Sequence, residues 1–137
     1  MGVDEGAATD HFDRRYRLGA APARRLVEQA VLGSDYGATS YTTIDDAADL
    51  GRRLQLGPGV SLLDVGAGCG FPGLHLAETT GCRVVLADRP AEGLRVATRR
   101  ALDDGLADRC DIVQCSGDLL PFADGVFDAV VHTDVLC

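Results

Sequence analysis

Apolar residues at positions 23, 26, 27, 30 and 31 recur at helical spacing in APARRLVEQAVLG, with Pro22 near the start and Gly33 as a stop, and predict a short amphipathic helix. The turn-forming SDYGATSYTT follows. A second helix is predicted through DDAADLGRRLQL, with Thr43 or Asp45 as its cap and GPG at 57–59 closing it. Residues 20–59 therefore read as a helical segment. Residues 1–19 are polar and largely charged, and a loose leader with one helical turn around HFDRRYRL is expected there.

From Val60 the period changes. Strands are predicted at 60–65, 82–88, 110–115 and 127–132, a first helix from 71 to 79, and a second, opened by Pro90, through AEGLRVATRRALDD. Strands separated by helical patterns imply βαβ units, so the fold class is α/β with a parallel sheet and right-handed crossovers. Ligands of such sheets lie beyond the carboxyl ends of the strands.

Composition narrows the reading. The 137 residues are 46% hydrophobic, enough for one folded domain. No stretch approaches the roughly 18 apolar residues of a membrane span, and Gly6 stands where an N-myristoylation signal wants Ser or Thr, so a soluble, cytoplasmic protein is expected. The net charge of −8 argues against general nucleic-acid binding, which needs a basic face. All 13 basic residues are arginine, which excludes Schiff-base chemistry and a phosphate-loop lysine within the chain. Cys69, Cys82, Cys110, Cys115 and Cys137 form no CxxC pair, and His11, His75 and His132 are scattered, so neither a disulfide framework nor a metal site is expected. The arginine pairs 14–15, 24–25, 52–53 and 99–100 read as solvated helix faces.

The chemistry concentrates in LLDVGAGCGFPGLHLA, residues 62–77. Gly66, Gly68 and Gly70 form GxGxG directly after a strand, where glycine allows positive φ and close approach of a ligand, although small residues also serve ordinary strand-to-helix turns. A dinucleotide fingerprint would place its third glycine at position 71, which is Phe71, and Pro72 removes an N–H that a pyrophosphate would use. Asp64 adds a carboxylate just upstream, unhelpful to phosphate and helpful to a cation. The turn thus suits a ligand with positive charge and no phosphate. Asp88 ends the second strand, 18 residues after Gly70, as an acceptor for a ribose diol or as a helix cap. In SGDLLPF, Asp118 is placed to accept from an adenine amino group and the Leu119 N–H to donate to a ring nitrogen, or Asp118 caps the local turn.

These stretches, together with VVLADRP, SDYGATSYTT and DAVVHTDVLC, closely resemble the class I S-adenosylmethionine-dependent methyltransferases, particularly bacterial small-molecule-type members, over about residues 36–137. The resemblance implies a Rossmann-like doubly wound parallel sheet, with S-adenosylmethionine as cofactor and a small-molecule methyl acceptor. It implies that Gly66, Gly68 and Gly70 wrap the methionine part, with Asp64 facing its ammonium, Asp88 holding the ribose, and Asp118 with Leu119 framing the adenine. Ala67 within the turn and Arg89 beside Asp88 join the cofactor-binding set, as do His132 at the exit of the fourth strand and Tyr41, since the N-terminal segment of related proteins often folds over the cofactor. His132 and Asp134 are the candidate catalytic bases for an acceptor that must lose a proton. His132 also reads as a residue packing under the cofactor, and Asp134 as a helix cap or a solvent-facing acid.

Family members usually continue past the fourth strand with further strands that complete the sheet and much of the acceptor pocket. Residues 60–137 accordingly read as a partial, truncated domain with the cofactor face largely present. The fourth strand is expected to present an open apolar edge suited to self-association. Two alternatives stand beside the methyltransferase: a cofactor-binding or non-catalytic module of the same ancestry, and a nicotinamide-linked oxidoreductase, against which Phe71 and Asp64 both argue.

Overall fold

Four short apolar runs form a parallel sheet in the order β3-β2-β1-β4, with β1 at Ser61–Val65, β2 at Arg83–Asp88, β3 at Cys110–Gln114 and β4 at Ala129–Val131. The computed structural model describes residues 5–37 and 40–133. Helix α4 (Gly73–Thr80) connects β1 to β2, and α5 (Ala91–Asp103) connects β2 to β3. Right-handed crossovers put both helices on one face of the sheet. Leu62, Val84 and Leu86 point to that face and are fully buried, with Leu74, Leu76 and Ala97 of the helices packed in the same core. Helix α3 (Ile44–Arg53) packs beside α4, where Gly51 lets its backbone close on Leu76 and Thr80.

The strand order reverses at β1, which pairs with β2 on one side and β4 on the other, all strands running parallel. Such a reversal opens a crevice at the strands' carboxyl ends. On the face away from α4 and α5, Leu63 pairs with Val85 and Val130, and Val130 is half exposed. Parallel sheets are ordinarily covered on both faces. Among the described residues β4 is the last strand on its side of the sheet, and it has three residues rather than the six expected. Just before it, the Asp128 N–H donates to the Ser61 carbonyl at 2.9 Å, and the Asp128 carboxylate accepts the Ser61 N–H and hydroxyl, both at 2.8 Å.

The largest departure from expectation is at the N-terminus. Residues 5–19, expected as a loose leader, form helix α1 (Glu5–Gly19). Six of its fifteen residues are charged, but Tyr16 is buried and Asp13 accepts the backbone N–H of Glu92 at the start of α5 at 3.0 Å. Tertiary contact with α5 thus decides the conformation where local propensity is weak.

Helix α2 (Pro22–Leu32) and α3 begin and end close to expectation. Gly33 caps α2 at φ 76°, and Thr43 forms a reciprocal capping box with Asp46. Between them, the buried Glu28 accepts from the Ser34 hydroxyl and from the backbone N–H groups of Tyr36 and Gly37 at 2.7–2.9 Å. Tyr36 packs on Phe71, and Arg100 of α5 lies 4.2 Å over its ring while pairing with Asp35. This loop is therefore fastened to both α2 and the glycine turn. Cys69 and Cys82 are buried, and the four cysteines among the described residues are free.

Candidate functional site

Asp64 lies one residue before the end of β1, beneath the start of α4. Its Oδ2 accepts the Gly73 N–H at 2.9 Å, while its Oδ1 is buried with no hydrogen-bond partner. A side chain at Gly73 is excluded, because a Cβ there would stand 2.7 Å from that carboxylate and 2.6 Å from Leu86. Burial pushes the Asp64 carboxyl up to about 7, against the pull of the Gly73 N–H and with a smaller push from Asp88. The orphaned oxygen is an unsatisfied acceptor closed off from solvent.

The glycine turn follows, with Gly66, Gly68 and Gly70 all at positive φ. Most of its N–H donors are taken up inside the chain. Gly66 and Ala67 donate to the Ala87 carbonyl, Gly70 to Ala67, Leu74 to Gly70, Gly73 to Asp64, and Gly68 to the Asp88 carboxylate at 2.7 Å. Pro72 has no N–H to offer. A phosphate nest needs converging free N–H groups at this helix start, and these donors already have partners.

Gly70 has its side filled by Leu74 and Ala97, so it serves packing between α4 and α5. Gly68 instead faces α1: a Cβ there would stand 2.7 Å from the Tyr16 hydroxyl oxygen. The same ring lies 3.0 Å from a Cβ position at Gly93 in α5. Tyr16 is thus the roof of the turn. Cys69, next along, donates its thiol to the Gly37 carbonyl at 3.6 Å, and burial pushes that thiol up to about 12, so it stays protonated.

Asp88 ends β2 with Oδ2 on the Gly68 N–H and Oδ1 on the Arg89 N–H at 2.8 Å. Burial raises its pKa, and the two N–H groups work in the opposite direction. Each oxygen retains a second lone pair, so the carboxylate can still accept from a diol. The Arg89 guanidinium donates to the Ser116 hydroxyl, which in turn bonds Asp118, so that the β2 and β3 exits form one polar chain. Asp118 is exposed and its carboxyl lowered, chiefly by the Ser116 hydroxyl.

The Leu119 N–H, expected to meet a ring nitrogen, donates to the Ser116 carbonyl at 3.1 Å, because Ser116–Leu119 closes a turn. Tyr41, expected over the cofactor, is 85% exposed and lines a cleft against α1 and α2; the aromatic residue over the glycine turn is Tyr16. His132 is exposed just beyond β4, and Asp134 lies outside the described residues. Sequence reasoning passed over Tyr16, Asp13, Gly73 and Glu28. One signal was available: Phe12 and Tyr16, four residues apart in a charged stretch, stack at 6.3 Å on one side of α1.

The family model described as a methyltransferase domain matches residues 62–137. The ubiquinone/menaquinone biosynthesis C-methyltransferase UbiE of Stenotrophomonas maltophilia is 33% identical over 136 residues, covering 90% of this chain and 52% of that protein. Among solved structures, the SAM-dependent methyltransferase from Thiobacillus denitrificans in complex with S-adenosyl-L-homocysteine aligns with a TM-score of 0.62 over 82% of this chain and 43% of its own, at 22% identity, a likeness of fold. The [4+2]-cyclase SpnF aligns with a TM-score of 0.58 and 31% identity over 61% of this chain and 31% of its own. The chain spans about half the length of curated relatives such as UbiE.

Proposed function

This chain belongs to the methyltransferase-domain family, class I and S-adenosylmethionine-dependent, and from that premise we propose that it binds S-adenosylmethionine for methyl transfer to a small-molecule acceptor. The observation that carries the reading is the internal use of the turn's N–H groups, with the Gly68 N–H held by Asp88 and the Gly73 N–H by Asp64. That arrangement disfavours a pyrophosphate and leaves carboxylate oxygens for a ligand that has hydroxyls and an ammonium group.

In this reading Asp88 accepts from the ribose hydroxyls, with Gly66, Ala67 and Gly68 as the surface on which the methionine part lies. Asp64 stands behind that surface and favours its positive charge. Arg89 acts at one remove, by tying Ser116 and Asp118 to the β2 exit, and Asp118 takes the adenine amino group. Tyr16, rather than Tyr41, closes the site from above. When bound, the sulfonium supplies an electrophilic methyl group, and the task of the protein is to hold nucleophile, carbon and sulfur in line. His132, at the β4 exit, is the proposed base for an acceptor that must lose a proton, and Asp134 is its alternative.

A second reading is favoured by the likeness to SpnF, which carries the same fold and is a cyclase: the chain binds the cofactor without transferring its methyl group. Calorimetric titration with S-adenosylmethionine, with NADH as the control, tests the shared premise. Saturable binding of the first alone supports both readings, and radiolabelled methyl transfer to a panel of acceptors then separates them. Absence of binding by a folded chain defeats both.

A further inference from the structure

Outside the glycine turn, a cleft of about 500 Å³ runs between α1, α2 and the segment around Tyr41. That volume is in the range of small-molecule sites. Its apolar lining comes from Ala23, Val27, Val31 and Leu32 of α2 and from Tyr41. Val27 and Val31 are 64% and 70% exposed, on a helix whose one buried residue is Glu28. Two guanidinium groups, Arg15 and Arg24, also line the cleft, and neither has an ion-pair partner among the described residues. Glu28, the one acid in the lining, has both carboxylate oxygens occupied by Ser34, Tyr36 and Gly37. The charge left to a ligand is positive, in a chain whose net charge is −8.

The cleft lies against the candidate cofactor site. Gly37 lines it and accepts the thiol hydrogen of Cys69, within the glycine turn, at 3.6 Å. Gly19, at the end of α1, approaches so closely that a Cβ there would stand 2.8 Å from the Gly37 carbonyl oxygen. Gly19 and Gly37 thus border the cleft on the side of the turn. A side chain at position 19 would force them apart.

We propose that this cleft binds a small apolar anion, a ring or chain with a carboxylate or comparable acidic group, as the acceptor class for the methyl transfer proposed above, on which that acceptor role rests. The apolar body lies along Val27 and Val31, and the acidic group meets Arg15 and Arg24. Charge-assisted pairing to arginine gives the selectivity for an anion over a neutral molecule of the same shape.

The test titrates the 137-residue chain with 2-naphthoate and with the neutral 2-naphthylmethanol, and maps both by amide chemical shifts. Expected are shifts at residues 23–32, binding of the acid about tenfold tighter than the alcohol, and loss of that difference in Arg15→Gln/Arg24→Gln. Val27→Asp, at an exposed position that leaves folding intact, should weaken both ligands. Equal affinities, shifts elsewhere, or a dimer that Val27→Asp converts to monomer would each overturn the proposal. A separate titration with S-adenosylhomocysteine keeps the two readings apart. Naphthoate binding without it leaves the cleft standing and removes the acceptor role, and the converse removes the cleft alone.

Discussion

The hydroxyl oxygen of Tyr16 stands 2.7 Å from the position a Cβ would take on Gly68, a residue of the glycine turn whose φ is +51°. Helix α1 therefore rests on the turn because Gly68 has no side chain. A ligand that reaches the turn meets Tyr16 as well.

Replacing Gly68 by Ala introduces both a strained φ and a contact that backbone and ring must relieve, and is expected to cost about 1–3 kcal/mol of stability. The released element should be α1. Urea midpoints give the stability change, and hydrogen exchange over residues 5–19 should rise more than over β1 and β2. Uniform loss of protection across the sheet would show that α1 is not specifically fastened at this point.

Asp88 joins the turn to β2 through its bonds to the Gly68 and Arg89 N–H groups. Asp88→Ala leaves both donors without their partner, a loss of about 1–3 kcal/mol. If the same carboxylate accepts a ribose diol, S-adenosylhomocysteine affinity should fall by more than about tenfold. Asp88→Asn, which keeps one acceptor oxygen, should fall between. Unchanged affinity in a folded Asp88→Ala chain would remove Asp88 from the site.

Much of the sheet and of the ligand-facing set was legible in sequence, because period-2 apolar runs, a strand-to-glycine-turn junction and strand-end carboxylates are local signals. The predicted strands coincide with β1 to β3, and Asp64, Asp88 and Asp118 stand at or near the carboxyl ends of successive strands. What could not be read was non-local. The N–H of Leu119 looks free in sequence and is used in a turn, and Tyr16 and Asp13 acquire meaning only through residues about 50 and 80 positions away. Gly73 reads as an ordinary helix residue until Asp64 and Leu86 are found beneath it.

Glu28 gives a prediction of this non-local kind. Its carboxylate holds the loop whose Gly37 carbonyl accepts the Cys69 thiol. Glu28→Gln exchanges one charged acceptor for an amide N–H₂ facing backbone donors, at an expected cost of about 2–4 kcal/mol. Cys69 should then react faster with a thiol reagent, measured against a Cys69→Ala control. A large stability loss with unchanged Cys69 reactivity would mean that the loop does not shield the turn.

The pH dependence of stability should carry the signature of Asp64. Burial lifts its carboxyl from near 3.8 to about 7, so between those values the folded chain keeps a proton that the unfolded chain has released. Unfolding then releases that proton, and raising the pH favours it. The contribution of Asp64 is complete below the unfolded value, declines as pH rises toward about 7, and is flat above it. Asp64→Asn removes the titration while retaining an acceptor for the Gly73 N–H. Urea midpoints of the two chains, taken from pH 4.5 to 8.5, should give a difference curve that isolates this residue, since the other ionisable groups are common to both. The native chain should lose stability relative to Asp64→Asn up to neutrality and run parallel to it beyond. A difference curve without slope across that interval would show that Asp64 is ionised in the folded protein and that its unpartnered oxygen has a counter-charge or a donor.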